Sequence, residues 1–227
     1  MYRYETHCHT APVSKCARAT VRETLEFYKS IGYAGVFITN HFLDGNINTD
    51  RTLPYEERLQ FYFSAFEEGK KIGEEIEFDV FCGVEMSFSG TDFLIYGVDK
   101  DWWFAHPELE NMKKSQQLPI LMEAGALVIQ AHPFREASYI DHIRLFPRHV
   151  HGVEVLNSSM PELTNQQAVD YANIYHLLHF AGSDNHTAGD REFLAGMAFD
   201  SPLANEQDFV KRILQNDGNI FTYINQS

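Results

Sequence analysis

Cysteine is scarce. The 227-residue chain has three, Cys8, Cys16 and Cys82, an odd, small number that argues against a disulfide framework. Basic residues are outnumbered, 18 Lys and Arg against 32 Asp and Glu, for a net charge of −14. A surface of that sign repels a polyphosphate chain, so no nucleic-acid partner is expected. A local cationic pocket built by metal ions is still compatible with it. No apolar run approaches the ~18 residues of a membrane span, and no signal-peptide pattern precedes the first strand. The expectation is a reduced, cytoplasmic chain without membrane association. Repeats, low-complexity tracts and evident linkers are also lacking. One domain is therefore expected over residues 1–227, a length common among α/β barrels.

What is present is a large apolar fraction, 44%, rich in Phe (18) and Tyr (11), enough for an aromatic-rich core. Short apolar runs alternate with helical periodicity. Residues 1–6, 34–41, 77–85, 92–99, 126–133, 151–157, 179–186 and 219–224 read as strands. The runs 77–85 and 92–99 are joined through MSFSGT as a hairpin-like excursion. Residues 20–32 read as a helix opened by a Thr20/Glu23 capping box and stopped by Gly32. Residues 53–73, 164–178 and 205–218 read as further helices, and 115–125 as a helix that Pro119 divides into two pieces. Strand–helix alternation at this spacing predicts a mostly parallel sheet or barrel.

The polar residues fall in a pattern. His7 and His9 end the first strand. His41 ends GVFITN, Glu85 ends VFCGV and His132 ends ALVIQA. Glu154 and Asn157 end GVEVLN, and Asp184 and His186 end FAGS. In a parallel α/β barrel such ends share one face, where the site is built. Imidazole and carboxylate together suit Zn²⁺, Mn²⁺ or Fe²⁺, and His-x-His puts two rings on one face of a strand. Each piece alone has a plainer reading: a hydrogen-bonded histidine pair, a loop histidine before proline, a capping Asp184. The recurrence of ligand side chains at separate strand ends in one chain favours a metal site. The other histidines, 106, 142, 149, 151, 176 and 179, lie outside the pattern. Cys8 should face the core, opposite His7 and His9. Cys16, in the loop after the first strand, is close enough to reach the site. Arg135, after AHPF, is placed to bind phosphate oxygens; Arg18 and Arg191 are weaker candidates.

THCHT, TNH, GVE, AHP, GVEVLN and GSDNH, in this order, resemble the polymerase and histidinol phosphatase (PHP) family over nearly the whole chain. The resemblance implies a distorted TIM-like (β/α)7 barrel with two or three divalent ions, Mn, Fe or Zn, at its C-terminal rim. It implies hydrolysis of phosphoesters, often monoesters of small metabolites, by a metal-bridging hydroxide. Carried over by motif, His7, His9, Asp184 and Glu85 hold a first ion. Glu85 bridges to a second, shared with His132, and His41 and His186 hold a third. Glu85, Asp184 and Arg135 form the catalytic set. Two departures stand out. Ser14 stands where many members have a ligating Asp, which leaves Cys16 or a water as substitute. Asp92 stands where many have a His, and is taken as a second-ion ligand. That exchange shifts preference from Zn²⁺ towards Mn²⁺ or Fe²⁺.

A phosphomonoesterase acting on a small phosphorylated molecule is the favoured reading. The alternatives are a phosphodiesterase, an amidohydrolase-like enzyme, and a non-catalytic metal-bound sensor. The amidohydrolase option is weakened because no lysine ends a strand at the site.

Overall fold

The computed structural model describes residues 1–224. Nine strands form one sheet: β1 (Tyr2–Cys8), β2 (Gly35–Ile38), β3 (Asp79–Phe88), β4 (Thr91–Tyr96), β5 (Leu127–Ala131), β6 (Gly152–Asn157), β7 (Leu178–Gly182), β8 (Phe193–Phe199) and β9 (Asn219–Ile224). Their spatial order is β7-β6-β5-β4-β3-β2-β1-β8-β9. The helices are α1 (Val21–Ser30), α2 (Tyr55–Ile76), α3 (Lys100–Ala105), α4 (Lys114–Glu123), α5 (Glu162–Tyr175) and α6 (Glu206–Leu214). None is long and apolar enough to cross a membrane.

The sheet is less parallel than the alternation predicts. β1-β2, β2-β3, β5-β6 and β6-β7 run parallel, while β3-β4, β4-β5, β1-β8 and β8-β9 run antiparallel. The excursion through MSFSGT is a hairpin, turning at Ser89 and Gly90 with φ of 50° and 81°. β8 lies outside the expected strands: its nearly continuous apolar run, FLAGMAF, lacks the polar–apolar alternation that marks a half-buried strand. The sheet nearly closes on itself, because the segment after β7 bonds to the end of β1. His9 N–H donates to the Asn185 carbonyl at 2.8 Å, and Cys8 and Asn185 form an isolated bridge.

Side chains fill the barrel below the rim. Tyr4, Phe37, Phe81, Tyr96 and Phe180 interlock there, and Phe209 of α6 packs on Phe37 with ring centroids 4.3 Å apart. Burying each such ring contributes about 1.5–3 kcal/mol. α1 and α2 cover the outer face, where Val21, Leu25, Tyr28, Leu59 and Phe63 are buried. The Thr20/Glu23 capping box opens α1 as expected. α4 continues through Pro119 as one helix, anchored by buried Leu118 and Leu121.

Candidate metal centre

A local irregularity aims the first histidines. The register of β1 against β2 shifts between Glu5 and Cys8. Before the shift, Tyr4 packs in the barrel floor and Glu5 faces α1, accepting from Tyr28 Oη at 2.7 Å. After it, Cys8 lies among the residues under the helices, as expected, and His7 and His9 turn to the rim. An extra residue in a strand re-aims a side chain in this way. Glu85 sits within β3 and pairs as an isolated bridge with His41, three residues beyond β2. Asp92 reaches the rim because β4 runs antiparallel and so begins where β3 finishes; it pairs with Ser87 and Ala131. His132 directly follows β5 and Asp184 lies two residues past β7. Both have positive φ, 22° and 51°, conformations that cost energy outside glycine and concentrate at functional sites.

Seven of the eight expected ligands meet in three overlapping groups: His7, Glu85 and His132; His7, His9 and Asp184; and His9, His41 and His186. His7 Nε2 is 3.1 Å from Glu85 Oε1 and 3.5 Å from Asp184 Oδ1. His9 Nε2 is 3.2 Å from Asp184 Oδ1 and 3.4 Å from Glu85 Oε2. His132 Nε2 is 3.4 Å from Glu85 Oε1. Glu85 is thus central, touching four of the five histidines. Asp92 joins none of the groups; its Oδ2 stands 3.9 Å from His132 Nε2.

Burial and neighbouring charges oppose one another across the cluster. Desolvation opposes ionisation of Glu85, yet the neighbouring imidazoles, His41 foremost, hold its carboxyl well below the usual range. Desolvation likewise opposes the Asp184 carboxylate, and His7 and His9 hold it ionised. Burial would lower His7, but Glu154, Asp184 and Glu85 raise it well above its ordinary value. His9 is driven down to about 3 by burial and by His186 and His41, so it is neutral with a lone pair to give. The cluster therefore compensates its carboxylates with protons on imidazoles.

Two residues behind the ligands carry weight that their motifs do not advertise. Glu154 accepts from His7 Nδ1 at 2.9 Å, from the His132 backbone N–H at 3.0 Å and from Asn157 Nδ2 at 2.9 Å. It turns His7 Nε2 toward the cluster, the carboxylate–histidine arrangement that orients metal ligands. Gly182 makes room for this contact: a Cβ there would lie 2.6 Å from His7 Cβ and 2.8 Å from Glu154 Oε1. Ser14, in place of a carboxylate, is buried. Its Oγ donates to Asn40 Oδ1 at 2.9 Å, accepts the His41 backbone N–H at 3.0 Å and stands 3.1 Å from His9 Nδ1. It braces His9 and leaves Nε2 of that ring facing the cluster.

The rim opens into a cleft of about 460 Å³ lined by Cys16, His41, Asp92, Arg135, Tyr139 and His186, among others. Burial lowers the guanidinium of Arg135, but Asp184, Tyr139, Asp92 and Glu85 together raise it. It forms no ion pair within 4.0 Å among the described residues. Burial would raise the Cys16 thiol, but His186 and His41 pull it down to about 6. Trp103 is buried against Phe42 and does not line the cleft. His151 accepts the Val128 N–H at 3.1 Å, away from the groups.

The donor set fits divalent cations. Both ring nitrogens of His132, His41 Nδ1 and Glu85 Oε2 are buried without a hydrogen-bond partner among the described residues. His41 Nδ1 and Glu85 Oε2 approach to 2.5 Å yet are not aligned to bond. Buried polar atoms are almost always paired. Donors that converge without pairing are what ligands directed at a shared cation leave behind.

No family model and no curated protein matches the chain. Solved structures do. A two-domain protein from Bacteroides vulgatus containing a predicted PHP-like metal-dependent phosphoesterase is 14% identical, with a TM-score of 0.67, over 97% of this chain. The chain spans 64% of that protein's length. A protein from Bifidobacterium adolescentis assigned as a metal-dependent phosphoesterase is 14% identical, with a TM-score of 0.60, over 94% of this chain and 96% of its own. An amidohydrolase from Chromobacterium violaceum, solved with sulfate and no metal, is 14% identical, with a TM-score of 0.58, over 96% of this chain and 97% of its own. At these identities the likeness is one of architecture: the chain has the barrel of PHP-like metal-dependent phosphoesterases.

Proposed function

We propose that the protein is a metal-dependent phosphomonoesterase acting on a small phosphorylated molecule. The observation that supports this most is that Arg135 lines the same cleft as His41, Asp92 and His186, within electrostatic reach of Asp184, Asp92 and Glu85. His7, His9, Glu85 and Asp184 would hold a first ion, Glu85 and His132 a second with Asp92 beside them, and His41 and His186 a third. Ions so held supply Lewis acidity at a phosphoryl oxygen and acidify water near neutral pH. Arg135 binds and orients the phosphate through paired N–H donors. Glu154 fixes the tautomer of His7, and Ser14 that of His9. Asp92, whose carboxyl is pushed up by burial and by Glu85, lines the cleft beside His132. The net charge of −14 favours a small substrate over a polynucleotide.

Hydrolysis of a C–N bond is the second reading, favoured by the likeness to an amidohydrolase. No lysine is among the described residues lining the cleft. The deciding experiment is product release from phosphomonoesters, phosphodiesters and amides after reconstitution with Mn²⁺, Fe²⁺ or Zn²⁺, beside Asp184→Asn. Phosphate release by the wild type and not by D184N supports the proposal. Turnover of amides alone transfers it to the second reading, and bound metal without any turnover leaves a sensor.

A further inference from the structure

Cys16 is the exposed cysteine; Cys8 is buried and Cys82 half-buried. Its loop is tied to the segment after β7, since the Arg18 N–H donates to the His186 carbonyl at 2.8 Å. Its Sγ stands 3.1 Å from His186 Nε2, within electrostatic reach of His41. All three residues line the cleft.

A count of lone pairs shows why this matters. His9 appears in two of the donor groups but has one ring nitrogen to give, because Nδ1 is engaged by Ser14 at 3.1 Å. The remaining Nε2 is 3.3 Å from His7 Nε2 and 3.2 Å from Asp184 Oδ1, so it sides with them. His41 and His186 are then left as two imidazoles. Catalytic zinc sites take three protein ligands and keep one position open. We propose that the Cys16 thiolate is the missing third ligand, so that His41, His186 and Cys16 form a mixed nitrogen–sulfur ion site open to the cleft. This rests on the metal-dependent reading above. A thiolate favours a softer ion such as Zn²⁺ at this position, while the carboxylate-rich pair at Glu85 and Asp92 suits Mn²⁺ or Fe²⁺. The protein would then bind two kinds of ion.

Cobalt(II) tests this without reference to turnover. The cobalt-loaded wild type should show a sulfur-to-cobalt charge-transfer band in the near ultraviolet beside the visible ligand-field bands. Cys16→Ser should lose that band and bind its weakest cobalt at least about 10-fold less tightly, the scale on which even an outer partner of a ligand acts. Its circular dichroism should match the wild type, because the residue is exposed. Ligand-field bands without the sulfur band overturn the cysteine assignment and leave the metal-dependent reading standing. The same sulfur band in C16S also overturns the assignment. Failure to bind cobalt at all overturns both.

Discussion

Glu154 and His7 face one another at 2.9 Å, both wholly buried, with the carboxylate on one side of the imidazole and the cluster on the other. Glu154→Gln keeps the shape and removes the charge. Metal affinity should fall about 10- to 100-fold, as for other carboxylates behind a ligating histidine, with little change in the far-ultraviolet spectrum. Competition with a chromophoric chelator measures it; unaltered affinity would remove Glu154 from the ligand support. Gly182→Ala should have a similar effect by forcing the same two residues apart.

His9→Ala deletes a neutral donor aimed at Asp184. Metal content by elemental analysis should fall by about one ion per chain, and the rate should fall with it. Full content together with full rate would refute its assignment as a ligand.

Arg135→Ala should cost roughly 10- to 100-fold in kcat/KM toward a phosphomonoester, the equivalent of about 1.5–3 kcal/mol for hydrogen bonds to a charged group. Lysine at this position should recover part of the loss, because it keeps the charge and loses the paired donors. Steady-state kinetics on both variants decide; an Ala variant as active as the wild type would separate Arg135 from substrate.

Stripping the ions should lower Tm. An ion at 100 times its Kd adds about 2.7 kcal/mol to the folded state, and its removal leaves carboxylates that only imidazole protons offset. Calorimetry with and without a chelator measures the drop, and re-addition of the ion should restore it.

A pH effect is expected far from the rim. Arg58 Nη2 donates to Glu110 Oε2 at 2.7 Å, and a second, shorter contact makes the pair bidentate. The bond to Arg58 holds the Glu110 carboxyl below its ordinary 4.5. A lowered folded value means the contribution is present above pH 4.5 and is lost as pH falls through the folded value. The partly exposed pair is worth about 1 kcal/mol or less. The Tm gap between wild type and Glu110→Gln should thus be open at neutral pH and close in strong acid.

The sequence exposes the donors more readily than the frame that carries them. His7, His9, His41, Glu85, His132, Asp184 and His186 are readable because each follows an apolar run, and the structure brings those seven together. Asp92 is the exception, at the edge of the set, and its place depends on β4 running antiparallel. Half of the strand pairings are antiparallel, which strand–helix alternation does not disclose. The register shift in β1 is equally silent, since Glu5, Thr6 and His7 carry no mark of a bulge. Glu154 stands at a strand end in the sequence, yet its task is visible only once His7 is seen beside it. Ser14 reads as a lost ligand and proves to be a brace, because its hydroxyl is taken up by His9, Asn40 and the His41 N–H.

Near-closure of the sheet by the Cys8–Asn185 bridge brings His7 beside Asp184 and His9 beside His186, although these pairs lie far apart in the sequence. Before that seam forms, the chain offers an ion only fragments of a coordination sphere. Contacts so distant in sequence form slowly, because loop-closure entropy must be paid before they reward the chain. Tight metal uptake would therefore mark completed closure, and a scarce ion would be withheld from chains still being made.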